Sequence, residues 1–219
     1  MDDRKSILCF GDSLTWGQIP AAPGEPSRRY APEKRWTGVL ATELGPGFHV
    51  VEEGLSGRTT CVDDPLDPRL NGAAHLPAIL ASHLPLDLVV LMLGTNDTKA
   101  YFARTPRDIA LGIAVLLGQI AGSARAVWTD YPAPRALVVA PPRLGRVPQG
   151  WGRELLDGAG EKIWQLPALY QSLAEASGAA FLDAGRAADS IGVDGVHLTE
   201  ESNRTLGLAM ARAVRAALS

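Results

Sequence analysis

Six consecutive apolar residues, Leu88-Val89-Val90-Leu91-Met92-Leu93, constrain this chain more than any other stretch. A strand with one face in water alternates apolar and polar side chains, and this run has no polar face. It suits a central strand of a parallel sheet covered by helices on both sides. Further runs of strand length lie at Ile7–Phe10, Phe48–Val51, Ala136–Ala140 and Ala180–Asp183.

Helical patterns fill the gaps between these runs. Thr105-Pro106-Arg107-Asp108 reads as an N-cap, a proline at the first helical position and an acid at the third. Thr199-Glu200-Glu201-Ser202 opens a last helix, along which Leu206, Met210, Ala213 and Ala217 recur at helical spacing. Other helices are expected at Glu33–Leu44, Gly72–His83 and Glu161–Ser177. Strands alternating with helices through right-handed crossovers predict an α/β protein, a three-layer α/β/α sandwich. A length of 219 residues fits one domain over 1–219. Two proline-bearing segments, Gln18–Pro32 and Asp63–Asn71, resist regular structure. Both follow strands, so both are expected beside the carboxyl edge of the sheet, where ligands of such sheets bind.

Composition removes several function classes. Apolar residues at 46% and charged residues at 21% exclude a disordered chain. A formal charge of −3 argues against nucleic acid or an anionic membrane as partner. No apolar run approaches the ~20 residues of a membrane span. The apolar stretch after Met1–Ser6 is too short for a secretion signal. Cys9 and Cys61 cannot build a disulfide framework, and two free thiols fit a cytoplasmic location.

The chemistry gathers around Phe10-Gly11-Asp12-Ser13-Leu14-Thr15, directly after the first strand. A strand that ends in glycine can project the Ser13 hydroxyl from the sheet edge. That hydroxyl is inert without a base, an acceptor that orients the base, and donors for an oxyanion. Asp194-Gly195-Val196-His197 offers the pair: an aspartate three residues before a histidine can accept from Nδ1–H and leave Nε2 for Ser13. By itself His197 reads equally well as a surface histidine before a helix cap. His49, His75 and His83 lack such a pairing. Ser56-Gly57-Arg58-Thr59 puts a glycine where a backbone N–H can approach substrate, and Gly94-Thr95-Asn96-Asp97 brings an amide after the central strand. Each of these alone is an ordinary turn. Asp12 and Asp97 read as local caps of loop N–H groups. Trp16, one helical turn from Ser13, is expected to line the acyl pocket with Asp12 and Leu14; the other tryptophans default to core or rim. The non-enzymatic rival is a flavodoxin-like module holding a phosphate or flavin on Ser13, Thr15 and Gly17. It leaves Asp194 and His197 without a role, and Asp12 would repel the anion.

Gly11-Asp12-Ser13-Leu14, Ser56-Gly57-x-Thr59, Gly94-Thr95-Asn96-Asp97 and Asp194-x-x-His197 occur in order over nearly the whole chain. Together they resemble the four blocks of the SGNH (GDSL) hydrolases. Longer stretches, among them Cys9–Gly17, Glu52–Thr60, Asp63–Pro77 and Leu84–Tyr101, resemble the bacterial arylesterase/acyltransferase (perhydrolase) branch. The resemblance implies a flavodoxin-like sheet of five parallel strands, with Ser13 as nucleophile, His197 as base and Asp194 as its orienter. It implies an oxyanion hole from the N–H groups of Ser13 and Gly57 and the side chain of Asn96, and neither metal nor organic cofactor. It also implies a small ester substrate with water, an alcohol or peroxide as acyl acceptor, and a homo-oligomer of up to eight subunits. A deacylase of sugar acetates or lysophospholipid-like esters is the alternative within the same chemistry. The chain departs from that branch at Gln18, where an aromatic residue is expected, and in the polar segment Arg143–Gly152.

Overall fold

The computed structural model describes residues 4–125, 130–189 and 191–219. Strand β1 (Lys5–Gly11) runs directly into the single-turn helix α1 (Ser13–Trp16). A small hairpin of β2 (Gln18–Ile19) and β3 (Arg28–Arg29) follows, then α2 (Trp36–Leu44) and β4 (Phe48–Gly54). Helix α3 (Gly72–His83), strand β5 (Leu88–Met92) and helix α4 (Pro106–Gly122) come next. The chain continues through β6 (Arg135–Ala140), the short α5 (Trp151–Leu155), α6 (Ala159–Ser177), β7 (Ala180–Asp183) and α7 (Glu200–Leu218).

Five of these strands form one parallel sheet in the order β4-β1-β5-β6-β7. Among the sheet's strands in chain order that is 2-1-3-4-5, the flavodoxin-like order, and β5 sits at its centre. Successive side chains of each strand enter opposite cores. Leu8, Phe10, Val89, Leu91 and Val138 pack with α3, α4 and α6, while Ile7, Cys9, Val90, Met92 and Val139 pack with α2 and α7. Both faces are dry at the centre of the sheet, where β5 has no polar side chain, whereas the edge strands β4 and β7 are only partly buried. The sheet reverses direction of winding between β1 and β5, and the crevice beyond their carboxyl ends is where such folds take ligands.

The helix signals fold as read. The Thr105 hydroxyl accepts from the Asp108 N–H while the Asp108 carboxylate accepts from the Thr105 N–H, a full capping box. Thr199 caps α7, although Val214 rather than Ala213 is the fully buried residue of its apolar stripe. Two segments differ from expectation. The stretch expected as a helix over Glu33–Leu44 is a 3₁₀ turn at Pro32–Lys34, an extended Arg35, and α2 from Trp36. Arg35 breaks the helix because its guanidinium is held by the Tyr30 carbonyl at 2.8 Å and by Glu52 at 2.7 Å. The ends of Gln18–Pro32, expected to be irregular, pair as an antiparallel ladder, Gln18 with Arg29 and Ile19 with Arg28. The prolines of the segment fall outside the paired residues, so none removes a ladder donor. Among the described residues, no helix is long and apolar enough to cross a membrane. Both Cys9, which is buried, and Cys61 are free thiols.

Candidate active site

Ser13 stands at the first position of α1, just past the end of β1. The turn that presents it needs a bare backbone at Gly11, where a Cβ would sit 2.0 Å from the Thr15 hydroxyl oxygen and 2.9 Å from the Met92 carbonyl. Asp12 caps α1 by accepting from the Leu14 N–H at 2.9 Å. The first N–H groups of a helix have no internal acceptor. Neither the Ser13 nor the Gly57 N–H finds a protein acceptor among the described residues. Gly57 adopts φ +91°, a conformation that strains a residue with a Cβ, and a Cβ there would also press on the Leu70 side chain at 3.1 Å.

His197 reaches Ser13 from the loop before α7. Its Nε2 lies 2.9 Å from Ser13 Oγ, and its Nδ1 lies 2.8 Å from Asp194 Oδ2. Asp194 folds back as the short spacing predicts: its Oδ1 accepts from the Val196 and His197 N–H groups, both at 2.9 Å. Burial pushes the Asp194 carboxyl up, yet the hydrogen bonds from His197 and from the backbone outweigh it and hold the pKa at about 2. The loop is braced from behind, where the Gly145 N–H donates to the Gly195 carbonyl at 2.9 Å. The polar segment Arg143–Gly152 thus props the histidine loop.

Under this line lies a frame of buried polar groups. Asn96 Nδ2 donates to the Arg58 carbonyl at 3.1 Å and approaches Asp12 Oδ2 at 3.4 Å. Asp97 reads from sequence as a local cap; in the structure its carboxylate instead accepts from the N–H and hydroxyl of Thr60, at 3.0 and 2.5 Å. The physical reason is that β4 and β5 flank β1, which brings the loops after them together over its end. Arg58 donates from Nη1 to the carbonyls of Gly11 and Glu53 and lies 4.1 Å over the Phe10 ring. Burial, only partly offset by Glu53 and Asp12, lowers its pKa to about 10. Burial in turn raises Asp12 to about 6, against the Leu14 N–H and the charges of His197 and Arg58.

Several members of this site are not marked in the sequence. The Arg58 side chain, Thr60, Leu70 and the Ala21 N–H, which donates to Asp194 Oδ2 at 3.2 Å, carry no local signal of their own. Both proline-bearing segments lie beside the site, the first through Ala21 and the second through Leu70. Gln18 bridges Ser27 and Ser56, each at 3.2 Å, and so ties the hairpin to the loop that carries Gly57. Of the residues expected at a substrate pocket, Leu14 is instead a core side chain, 3% exposed and packed with the Trp36 and Cys9 cluster, because α1 turns that face inward. Asp12 is buried beneath the turn, and Trp16 is partly exposed with the Arg29 guanidinium 5.2 Å from its ring. Trp36 is fully buried, Trp151 and Trp164 are largely exposed, and Trp128 lies outside the described residues. No group of three or more histidine, cysteine, aspartate or glutamate side chains is placed to hold a metal ion among the described residues.

A flavodoxin-like sheet with aspartate, histidine and serine aligned at its switch point has the layout of a serine hydrolase. The model of the GDSL-like lipase/acylhydrolase family matches residues 9–205, and the chain belongs to that family. The aryl esterase of M. smegmatis is 57% identical, with 98% of this chain and 100% of that one covered and a TM-score of 0.96. Est24, a carbohydrate acetylesterase from Sinorhizobium meliloti, is 53% identical, with 97% and 99% covered and a TM-score of 0.95. A structure described as a putative arylesterase from Agrobacterium tumefaciens is 40% identical, with 98% and 100% covered and a TM-score of 0.88. A search of curated proteins gave no match. The chain is an esterase of the acylhydrolase type.

Proposed function

We propose that this protein, acting as one domain, cleaves small aryl and acetyl esters through an acyl-enzyme on Ser13. The observation that carries the reading is the continuous line from Asp194 Oδ2 through both ring nitrogens of His197 to Ser13 Oγ, at 2.8 and 2.9 Å. Ser13 Oγ attacks the ester carbonyl as Nε2 takes its proton. Asp194, ionised at any pH well above 2, stabilises the imidazolium. The tetrahedral oxyanion faces the unpaired N–H groups of Ser13 and Gly57 and the amide of Asn96, whose 3.4 Å contact with Asp12 is long enough to be exchanged. The alcohol leaves with the proton from Nε2. Water then attacks the acyl-enzyme, giving its proton to Nε2, and the acid departs as Ser13 recovers the proton.

The small-ester reading rests on the aryl esterase likeness, and the acetyl-sugar alternative on the likeness to Est24. An alcohol or peroxide replaces water as acceptor where the segments around Ala21 and Leu70 exclude solvent. A homo-oligomer that covers exposed Leu66, in the second of these segments, and exposed Val193, beside Asp194, would narrow the mouth of the site. A panel of p-nitrophenyl esters and acetylated sugars, with and without added alcohol, separates these readings. Activity on short aryl esters that vanishes in Ser13→Ala supports the proposal, and activity surviving in that variant sinks it. A product that is almost all free acid, made by a monomer in light scattering, removes the acyl-transfer and oligomer parts alone.

A further inference from the structure

A cavity of about 640 Å³ lies along the outer edge of the sheet beside β7, between α6 and α7. Its volume falls in the range of small-molecule sites, roughly 300–1,000 Å³. Neither Ser13, His197 nor Asp194 borders it. Phe181, Leu182 and Pro167 give part of its lining an apolar character. Arg143, Arg186 and Arg212 stand around it, and Asp183 is the only acid among its lining residues.

The arginines are not consumed by the protein. Arg212 has no hydrogen bond or ion pair among the described residues. Arg186 is 88% exposed along its side chain and meets Asp183 only at 3.5 Å, beyond a good hydrogen bond. Arg143 lies 3.5 Å over the ring of Trp164, which fixes the guanidinium plane while leaving its N–H edge open. Trp164 is 66% exposed, so that stack holds no core together. Three guanidinium groups against one carboxylate leave two positive charges unmatched in a partly apolar lining. Guanidinium edges favour planar or tetrahedral oxyanions through paired N–H donors.

We propose that this groove binds a small organic dianion, with its phosphate-monoester or dicarboxylate head between Arg143 and Arg212 and its apolar body on Phe181 and Leu182. This site is separate from the ester-cleaving one and does not depend on the reading of Ser13. The test is calorimetric titration of phenyl phosphate and of phthalate into the full chain at low ionic strength, where exposed charges are least screened. Saturable binding at one equivalent is expected, with the tighter of the two probes naming the head group. Arg212→Ala and, separately, the double variant Arg143→Ala/Arg212→Ala should each weaken it by about tenfold or more, the loss of charge-assisted hydrogen bonds. Arg212 is exposed, so its variant folds as the wild type does. Inorganic phosphate should bind at least about tenfold more weakly than phenyl phosphate, because it lacks the body. Absence of saturation by either probe overturns the proposal, as does undiminished binding to Arg212→Ala or phosphate binding as tightly as its phenyl ester. Inhibition of p-nitrophenyl acetate hydrolysis that persists unchanged in the double variant also overturns it, since the probe then sits at Ser13.

Discussion

Asp194 and the pair Asp12 and Asp97 serve one site from opposite sides of the solvent boundary. Asp194 is partly exposed on a loop and accepts from His197 Nδ1 and three backbone N–H groups. Asp12 and Asp97 lie beneath it at 1% and 0% exposure. The same carboxyl is held at about 2 in the first place and pushed to about 6 at Asp12. Burial also raises Asp97, despite its bonds from Thr60. Donor count wins where water still reaches the group, and desolvation wins where it does not. The upper region thus suits a charge that persists through the proposed reaction, and the lower suits rigidity.

The widest test of this division is removal of the proposed nucleophile. Ser13→Ala should lower kcat by on the order of 10⁴- to 10⁶-fold, and adding His197→Ala should cost little more. Circular dichroism should show both variants folded, since the upper region contributes little to the core. Asp97→Ala should do the reverse in kind. It orphans the Thr60 N–H and hydroxyl in a dry site, so urea denaturation should show a loss of about 4 kcal/mol. A loss below about 1 kcal/mol would mean that water enters and that the frame is not rigid. Asn96 joins the two regions, and its alanine variant should lower kcat by roughly 100- to 1000-fold with KM little changed.

The smallest effect is a pH dependence. The folded pKa of Asp12 is above its ordinary 3.8, so between about pH 4 and 6 the folded state binds more protons than the unfolded one. Its contribution to stability is therefore full below about 4 and falls as pH rises to 6, by no more than about 3 kcal/mol. Asp12→Asn, which keeps an acceptor for the Leu14 N–H, should flatten the urea midpoint across that window. Asp194 has the opposite sign: its contribution is present above about 4 and is lost as pH falls toward 2. A wild-type profile with only the acid limb would break the contrast between the two carboxylates.

The upper region is legible in the chain because its parts are local. Asp194 and His197 lie within one turn of backbone, and Gly11 and Ser13 flank a strand end, so spacing alone proposes the geometry. The lower region is not legible, because Asp97 finds Thr60 across 37 residues and Arg58 reaches Gly11 across 47. Nothing in the sequence near Asp97 separates that clamp from the cap expected there. The strand and helix order was readable for a similar reason: periodic burial is written into consecutive residues. Arg35 broke a helix that its neighbours favour, because its partner Glu52 stands on β4.

The alternation of doubly buried central strands with capped helices, and the four short motifs at their ends, are encoded in consecutive residues. These depend on φ/ψ preferences, apolar periodicity and hydrogen bonds a few residues long. The strand order 2-1-3-4-5, which the residues suggest only through family resemblance, comes from tertiary packing and sets the ends of β1, β4 and β5 side by side. That adjacency makes Ser13, Gly57 and Asn96 neighbours and buries Asp12 and Asp97 under them. Desolvation and long-range pairing arise from the folded arrangement, so no stretch of the chain can state them beforehand.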